Sequence, residues 1–337
     1  MTRFFNIDLH ISVIEDIRDI CKRIDKDIQI EDWSLSGHTW VFGKQQREIH
    51  LLNDSNWMNI NKSFIKEFIE YHKSYFMQFD GFIVCHPNSF ALFYETFDKP
   101  VYVINSYRYD LPFCWTHDMD MIKELGYCFQ RLQAKGLLHV ISNNKADNTY
   151  FRLGNPGIHT RVIPSLCLYT NMKWIHTNTT DTFLVYSGTL DTSKAGIVHR
   201  SDLGQYTWDS LMKFKGIIHL PYEASTMSIF EQISSGIPLF FPTKRFLKEL
   251  IQKNQIHFNT NYWQKNLPEY LDLTGNPEYW IERADYYTLE GYYYFDSLDD
   301  LYRQLDTFTD PFYETRMQFI EKRKSDILHE YSKIFSV

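Results

Sequence analysis

Glu223 and Glu231 stand eight positions apart in the segment Gly216 to Thr243, GIIHLPYEASTMSIFEQISSGIPLFFPT. A carboxylate accepts hydrogen bonds from vicinal hydroxyls, so one of the pair can hold a ribose while the other meets a hexose. The segment reads as a strand, a loop ending in Glu223, a short helix carrying Glu231, a Gly stop and a second strand. Ser225 is expected to cap the helix and Gly236 to end it. A helix start there turns the N–H groups of Ser225, Thr226 and Met227 toward a bound anion, with the helix dipole adding to the attraction. Tyr222, beside Glu223, is a candidate to stack on a sugar ring. Diphosphate and hydroxyl recognition is therefore the chemistry this stretch is suited to, with Glu231 expected on the helix face that looks back toward the loop.

Such a site needs strands to carry its loops, because ligands of open parallel sheets bind beyond the carboxyl ends of the strands. Strand-like apolar runs alternate with amphipathic stretches along the whole chain, which predicts an α/β protein with parallel sheets. In the first half FFNIDLHI, IQIEDWSL, GFIVCHP, PVYVINSY, LLHVISNN and HTRVIPSLCLY read as strands. Between them ISVIEDIRDICKRI, KSFIKEFIEYHKSYFMQF, SFALFYETF and MDMIKELGYCFQRLQAKG read as helices. The polar stretch NMKWIHTNTTD then separates two periodic regions and places a boundary between about Leu166 and Asp181. Beyond it TFLVYSG, KGIIHLP and IPLFFPT read as strands, and LGQYTWDSLMKF as an early helix. The expected domains are residues 1–168 and 169–312, followed by a C-terminal helical segment, 313–337, that crosses back to the first domain.

With 337 residues and 44% hydrophobic content, the chain is long enough for two packed cores. Its net charge of -7 argues against a broad nucleic-acid footprint. Five cysteines without a CxxC pair fit a reducing compartment. The acidic start and the lack of a long apolar run predict neither a signal peptide nor a membrane span, so a cytoplasmic location is expected.

Glu223, seven intervening residues, Glu231 and then Gly236 and Pro238 resemble the EX7E segment of retaining glycosyltransferases of the GT-B fold, family 4 above all. RVIPSLC resembles the inter-domain stretch of that family, LVYSGTLDTSK its first nucleotide-lobe strand and loop, and FDSLDDLYRQLD its late loop and helix. The resemblance implies two Rossmann-like domains facing across a cleft. The second would bind a UDP-sugar or GDP-sugar and the first a carbohydrate acceptor. It also implies metal-independent transfer with retention of configuration and no further cofactor. Glu223 would contact the transferred sugar and Glu231 the ribose. Gly188 and Thr189 fall in the phosphate loop, Thr189 where the family commonly has Arg, so Lys194 or Arg200 would neutralise the diphosphate. A sugar-nucleotide epimerase or hydrolase, or a non-catalytic sugar-nucleotide-binding protein, would use the same fold.

In the first domain His10 and His86 follow strands and are candidates for the acceptor or cleft side, with His38 a weaker one. Tyr107 and Arg108 occupy the turn after PVYVIN, where many family members place a His. Asp8 is not expected to orient His10 as a general base. The DMD at Asp118 to Asp120 opens a helix, where acidic residues are favoured by the dipole, and no metal site is expected.

Overall fold

The computed structural model describes residues 1–191, 196–259 and 276–335. They form two compact units, one of residues 1–165 with 328–335 and one of residues 166–259 with 276–327.

The first unit contains, in order, β1 (Thr2–Asp8), α1 (Ile11–Ile24), β2 (Ile28–Ser34), α2 (Lys62–Phe76), β3 (Gly81–Val84), β4 (Val101–Asn105), α3 (Phe113–Thr116), α4 (Met119–Ala134), β5 (Leu138–Ser142), α5 (Lys145–Gly154) and β6 (Thr160–Val162). The strands form one parallel sheet in the order β2-β1-β3-β4-β5-β6. Central β3 reads GFIV and is buried throughout, as a strand covered on both faces must be. Helix α1 spaces its apolar residues at three and four, burying Ile14, Ile17 and Cys21 on one side. Asp118 caps α4 by accepting from the Met121 amide at 3.0 Å, so the DMD run is a helix start.

The second unit contains β7 (Phe183–Ser187), β8 (Ile197–His199), α6 (Trp208–Leu211), β9 (Ile217–His219), α7 (Met227–Ser235), β10 (Leu239–Pro242), α8 (Lys244–Gln252), α9 (Pro277–Ile281), β11 (Tyr293–Phe295), α10 (Leu298–Asp306) and α11 (Tyr313–Phe335). Its sheet is also parallel, in the order β11-β10-β9-β7-β8. The last residues of α11 belong to the first unit, where Phe335 packs on Phe4 and Tyr102.

The expected α/β class with parallel, Rossmann-like sheets is what the chain adopts. In both sheets the first strand lies between the second and the third, so the winding reverses between the first and third strands. Three local expectations are corrected. The run LGQYTWDSLMKF holds only the four-residue α6, because Gly204 takes φ 60° and ψ -129°, which no helix accommodates. SFALFYETF forms two 3-10 turns, Asn88–Phe93 and Glu95–Phe97, not an α-helix. Strand β8 went unanticipated because IVH is too short to show alternation. Among the described residues no helix is long and apolar enough to cross a membrane. All five cysteines are buried, and none forms a disulfide among the described residues.

Two buried charges bear on stability. Arg316 is fully buried on α11 in the second unit. It donates from Nη1 to Asp310 at 3.0 Å and to the Gly291 carbonyl at 3.1 Å, and from Nε to the Gly236 carbonyl at 2.9 Å. Asp8, at the end of β1, accepts from Ser34 and Asn6, each at 3.1 Å. Burial nevertheless raises its pKa to about 7, against the Ser34 hydrogen bond and with the help of Glu15. Because β1 stops at Asp8, His10 lies beyond the strand, and Asp8 is engaged with Asn6 and Ser34.

Arg316→Met leaves the Asp310 carboxylate without its cation and should lower unfolding free energy by about 3–5 kcal/mol in urea titrations. Pairing it with Asp310→Asn should restore much of that loss. For Asp8 the folded-state pKa lies above the unfolded value. The folded chain therefore holds a proton that the unfolded chain has lost, and this group's contribution falls as pH rises from about 4 to about 7. Asp8→Asn should remove that slope, so that the variant gains on wild type by roughly 5 °C in Tm between pH 4 and pH 8. A constant difference across that range would refute the assignment.

Candidate functional site

The winding of the second sheet reverses between β7 and β9, and a cavity of about 340 Å³ opens beside their carboxyl ends. Its walls are the end of β7 with Ser187 and Gly188, the end of β8 and the turn after it with His199 and Arg200, the end of β9 and its loop with His219, Pro221, Tyr222 and Glu223, and the start of α7 with Thr226 and Ser228. This is the place where a doubly wound sheet parts its loops, so the position follows from topology before any side chain is considered.

Gly188 makes the junction compact. Its φ is +83°, and a Cβ built on it would lie 2.5 Å from the Leu220 Cβ. Only glycine allows both the backbone conformation and this approach. The Leu220 amide closes the junction by donating to the Ser187 carbonyl at 3.0 Å.

Helix α7 begins one residue later than expected. Its N-cap is Thr226, in extended backbone, and the Thr226 hydroxyl pairs with Ser228 at 3.1 Å. Ser225 is therefore part of the approach loop, a correction that moves the helix start and leaves its chemistry intact. No acidic residue sits in the first turn, where the positive end of the helix dipole lies. Arg200 adds a cation at the cavity wall, its guanidinium 4.7 Å from the centre of the Tyr186 ring. Tyr186 in turn shares a hydroxyl contact with Tyr206 at 3.3 Å. Glu223 is held from behind, accepting from Asn259 Nδ2 at 2.6 Å, while its carbonyl accepts from the Tyr286 hydroxyl at 3.3 Å. Tyr222 is half exposed at the mouth.

Glu231 is placed differently from the expectation. It accepts from the Tyr169 hydroxyl and from Trp208 Nε1 at 3.3 Å. It lines a separate, small cavity with Thr170, Trp208 and Gln232 rather than the cavity of Glu223. The structure thus gathers Gly188, Arg200, Tyr222, Glu223 and Thr226 around one space, with Ser225, Met227 and Thr189 flanking it in sequence. Lys194 lies outside the described residues.

The first-unit candidates cluster at the corresponding end of their own sheet. The rings of His10 and His86 are 6.2 Å apart, and those of His86 and Tyr107 are 5.8 Å apart. Burial, with a smaller contribution from His10, pushes the His86 pKa down to about 3, so His86 is neutral near pH 7. Arg108 is buried with its guanidinium 4.1 Å from the centre of the Tyr107 ring, which makes it a wall of this cluster rather than an exposed contact. Among the described residues no three His, Cys, Asp or Glu side chains converge as a metal site would require.

Comparison with known proteins gives distant structural likenesses. The chain resembles the glycosyltransferase of kitacinnamycin with a TM-score of 0.45 and 10% identity, over 99% of this chain and 98% of that one. For the spinosyn rhamnosyltransferase SpnG, complexed with thymidine diphosphate, the TM-score is 0.44 and the identity 9%, over 96% of each chain. For MnaA of S. aureus, solved with UDP, they are 0.41 and 12%, over 84% of this chain and 91% of that one. No family model and no curated protein matches the sequence.

Sequence reasoning missed His219, Ser187 and Gln232. Ser187 and His219 line the cavity, and His219 joins Gln232 through a 2.6 Å hydrogen bond. The signal was present, since a His closing the otherwise apolar run GIIHLP is an unusual strand end.

Gly188→Ala should block the approach of the loop to Leu220 and strain the backbone. The expected result is a Tm fall of several degrees together with loss of ligand binding, read by calorimetry and titration. Gly157→Ala, at a positive φ of 89° with open space around it, controls for backbone strain alone and should leave ligand binding intact.

Proposed function

We propose that the chain is a GT-B glycosyltransferase that binds a nucleoside diphosphate sugar in the second-unit cavity and transfers the sugar to a hydroxyl acceptor. One observation carries this reading: the start of α7, with no acid in its first turn, shares a cavity with a cation, Arg200, and with a carboxylate, Glu223. Helix-terminal amides and a guanidinium suit the oxygens of a diphosphate. A carboxylate held by Asn259 suits sugar hydroxyls.

In this reading the departing diphosphate is stabilised by the α7 N-terminus and Arg200, with Lys194 as a further cation. The charge develops where fixed dipoles already point. Glu223 orients the sugar without forming a covalent bond to it, and transfer retains configuration. Neutralisation by protein groups makes a metal ion unnecessary. Glu231 serves by holding Tyr169 and Trp208 against α7. His10, His86 and Tyr107 form the acceptor side in the first unit.

A thermal-shift screen of UDP, GDP, ADP and their sugars, with and without EDTA, tests this. A ligand at 100 times its Kd stabilises by roughly 2.7 kcal/mol. Arg200→Ala should weaken that ligand about 10-fold or more, and EDTA should leave binding unchanged. Glu223→Gln should leave nucleotide binding near wild type while removing transfer to sugar acceptors. If no nucleotide or nucleotide sugar stabilises wild type at millimolar concentration, the reading is lost. Donor consumption at full rate without any acceptor would point instead to an epimerase or hydrolase.

A further inference from the structure

His219 ends β9 at the floor of the cavity and is only 2% exposed. Phe241 stacks on its ring at 5.3 Å, nearly parallel. Its Nε2 lies 2.6 Å from Oε1 of Gln232, itself 2% exposed, and its Nδ1 lies 3.3 Å from the Ser187 hydroxyl. These contacts determine where the protons sit. An amide oxygen only accepts, so Nε2 carries the hydrogen and donates to Gln232. Nδ1 of the neutral ring is then an acceptor and takes the hydrogen of Ser187. The other end of the Gln232 amide is a donor. In this orientation that donor, Nε2, is buried without a hydrogen-bond partner, on the wall of the small cavity that Glu231 also lines.

We propose that His219 is a positioning residue which, held by Gln232, fixes Ser187 as a hydrogen-bond acceptor on the cavity floor. The bound nucleotide sugar therefore presents a hydroxyl to Ser187 and its phosphates to Arg200 and the start of α7. This inference rests on the nucleotide-sugar reading of the cavity and adds which ligand group docks where. A Ser187 with its hydrogen committed to His219 repels phosphate oxygens and accepts from a ribose or hexose hydroxyl. The surroundings keep His219 neutral. Burial pushes its pKa down to about 4, opposed by Gln232 and assisted by Arg200. Among the titratable groups around it, Tyr186 packs at 5.5 Å between ring centres, and Glu231 adjoins Gln232 on α7.

The test has two arms on the full-length protein. Imidazole ¹⁵N spectra should show His219 with hydrogen on Nε2 alone from pH 5.5 to 8. In Gln232→Glu the new carboxylate should convert it to the doubly protonated ring near neutral pH. In the binding arm, UDP-glucose and GDP-mannose are compared with analogues lacking one ribose or hexose hydroxyl at a time. Loss of one particular hydroxyl should weaken wild-type binding about 3- to 10-fold and have no effect on Ser187→Ala. In Gln232→Glu, where Nδ1 now donates to Ser187 and turns its hydrogen toward the ligand, the size of that loss should differ from its wild-type value. An Nδ1-protonated ring in wild type, or deoxy analogues that affect wild type and Ser187→Ala alike, would overturn the inference. If no nucleotide or nucleotide sugar of the thermal-shift screen binds wild type, the nucleotide-sugar reading fails and takes this inference with it, and the spectra still report separately on the Ser187–His219–Gln232 chain.

Discussion

A guanidinium cannot be stripped of water unless its charge and its five donors are answered, and Arg316 sets that demand in the second unit. Asp310 supplies the charge, and the carbonyls of Gly236 and Gly291 take further donors. The neighbours are constrained in turn. A Cβ on Gly291 would lie 2.6 Å from the Arg316 amide, so the chain there must be glycine with φ +79°. Because the Gly236 carbonyl is the C-cap of α7, the same clamp fixes the end of the helix whose other end forms the cavity. Trp174 secures that end independently, donating from its amide to Ser235 at 2.8 Å and from Nε1 to Phe214 at 2.9 Å. A ligand at the start of α7 thus meets a helix that is already held, and little ordering has to accompany binding.

The strand order accounts for the rest of the geometry. Reversal of winding between β7 and β9 sends consecutive connections to opposite faces, which parts the loops there and nowhere else along that edge. Gly188 then decides how deep the opening is, since its contact with Leu220 keeps the loop against β9. The first sheet repeats the order, and its corresponding reversal, between β1 and β3, carries His10 and His86. One topological rule thus locates both clusters, while their chemistry differs. Arg200, Glu223 and a helix N-terminus give the second charged groups of both signs, and burial keeps His86 in the first neutral.

What could be read from the sequence follows from which forces act locally. Helix α1 begins and ends at the residues its periodicity marks, Ile11 and Ile24, because one apolar stripe specifies it. The segment around Glu223 was legible for a similar reason: Pro221, Gly236 and Pro238 punctuate it with residues of restricted conformation. Strand β8 and the turns at Asn88–Phe93 were not legible, since three residues carry no period and 3-10 geometry depends on packing. The Ser187–His219–Gln232 chain was invisible for another reason. Its members lie 32 and 13 positions apart and meet only because β7 pairs with β9 and α7 packs beside them.

Glu223 and Glu231 show why a spacing cannot assign a role by itself. Each carboxylate must find donors or stay hydrated, and the fold answers the two differently. Glu223 takes a hydrogen bond from Asn259 and lines the open cavity. Glu231 takes a hydroxyl from Tyr169 and an indole N–H from Trp208, tying the 3-10 turn Leu168–Thr170 and helix α6 to α7. Tyr169 and Trp208 are themselves in edge contact at 5.7 Å. The two acids therefore sit differently: Glu223 lines the cavity at the start of α7, and Glu231 ties Tyr169 and Trp208 to the helix.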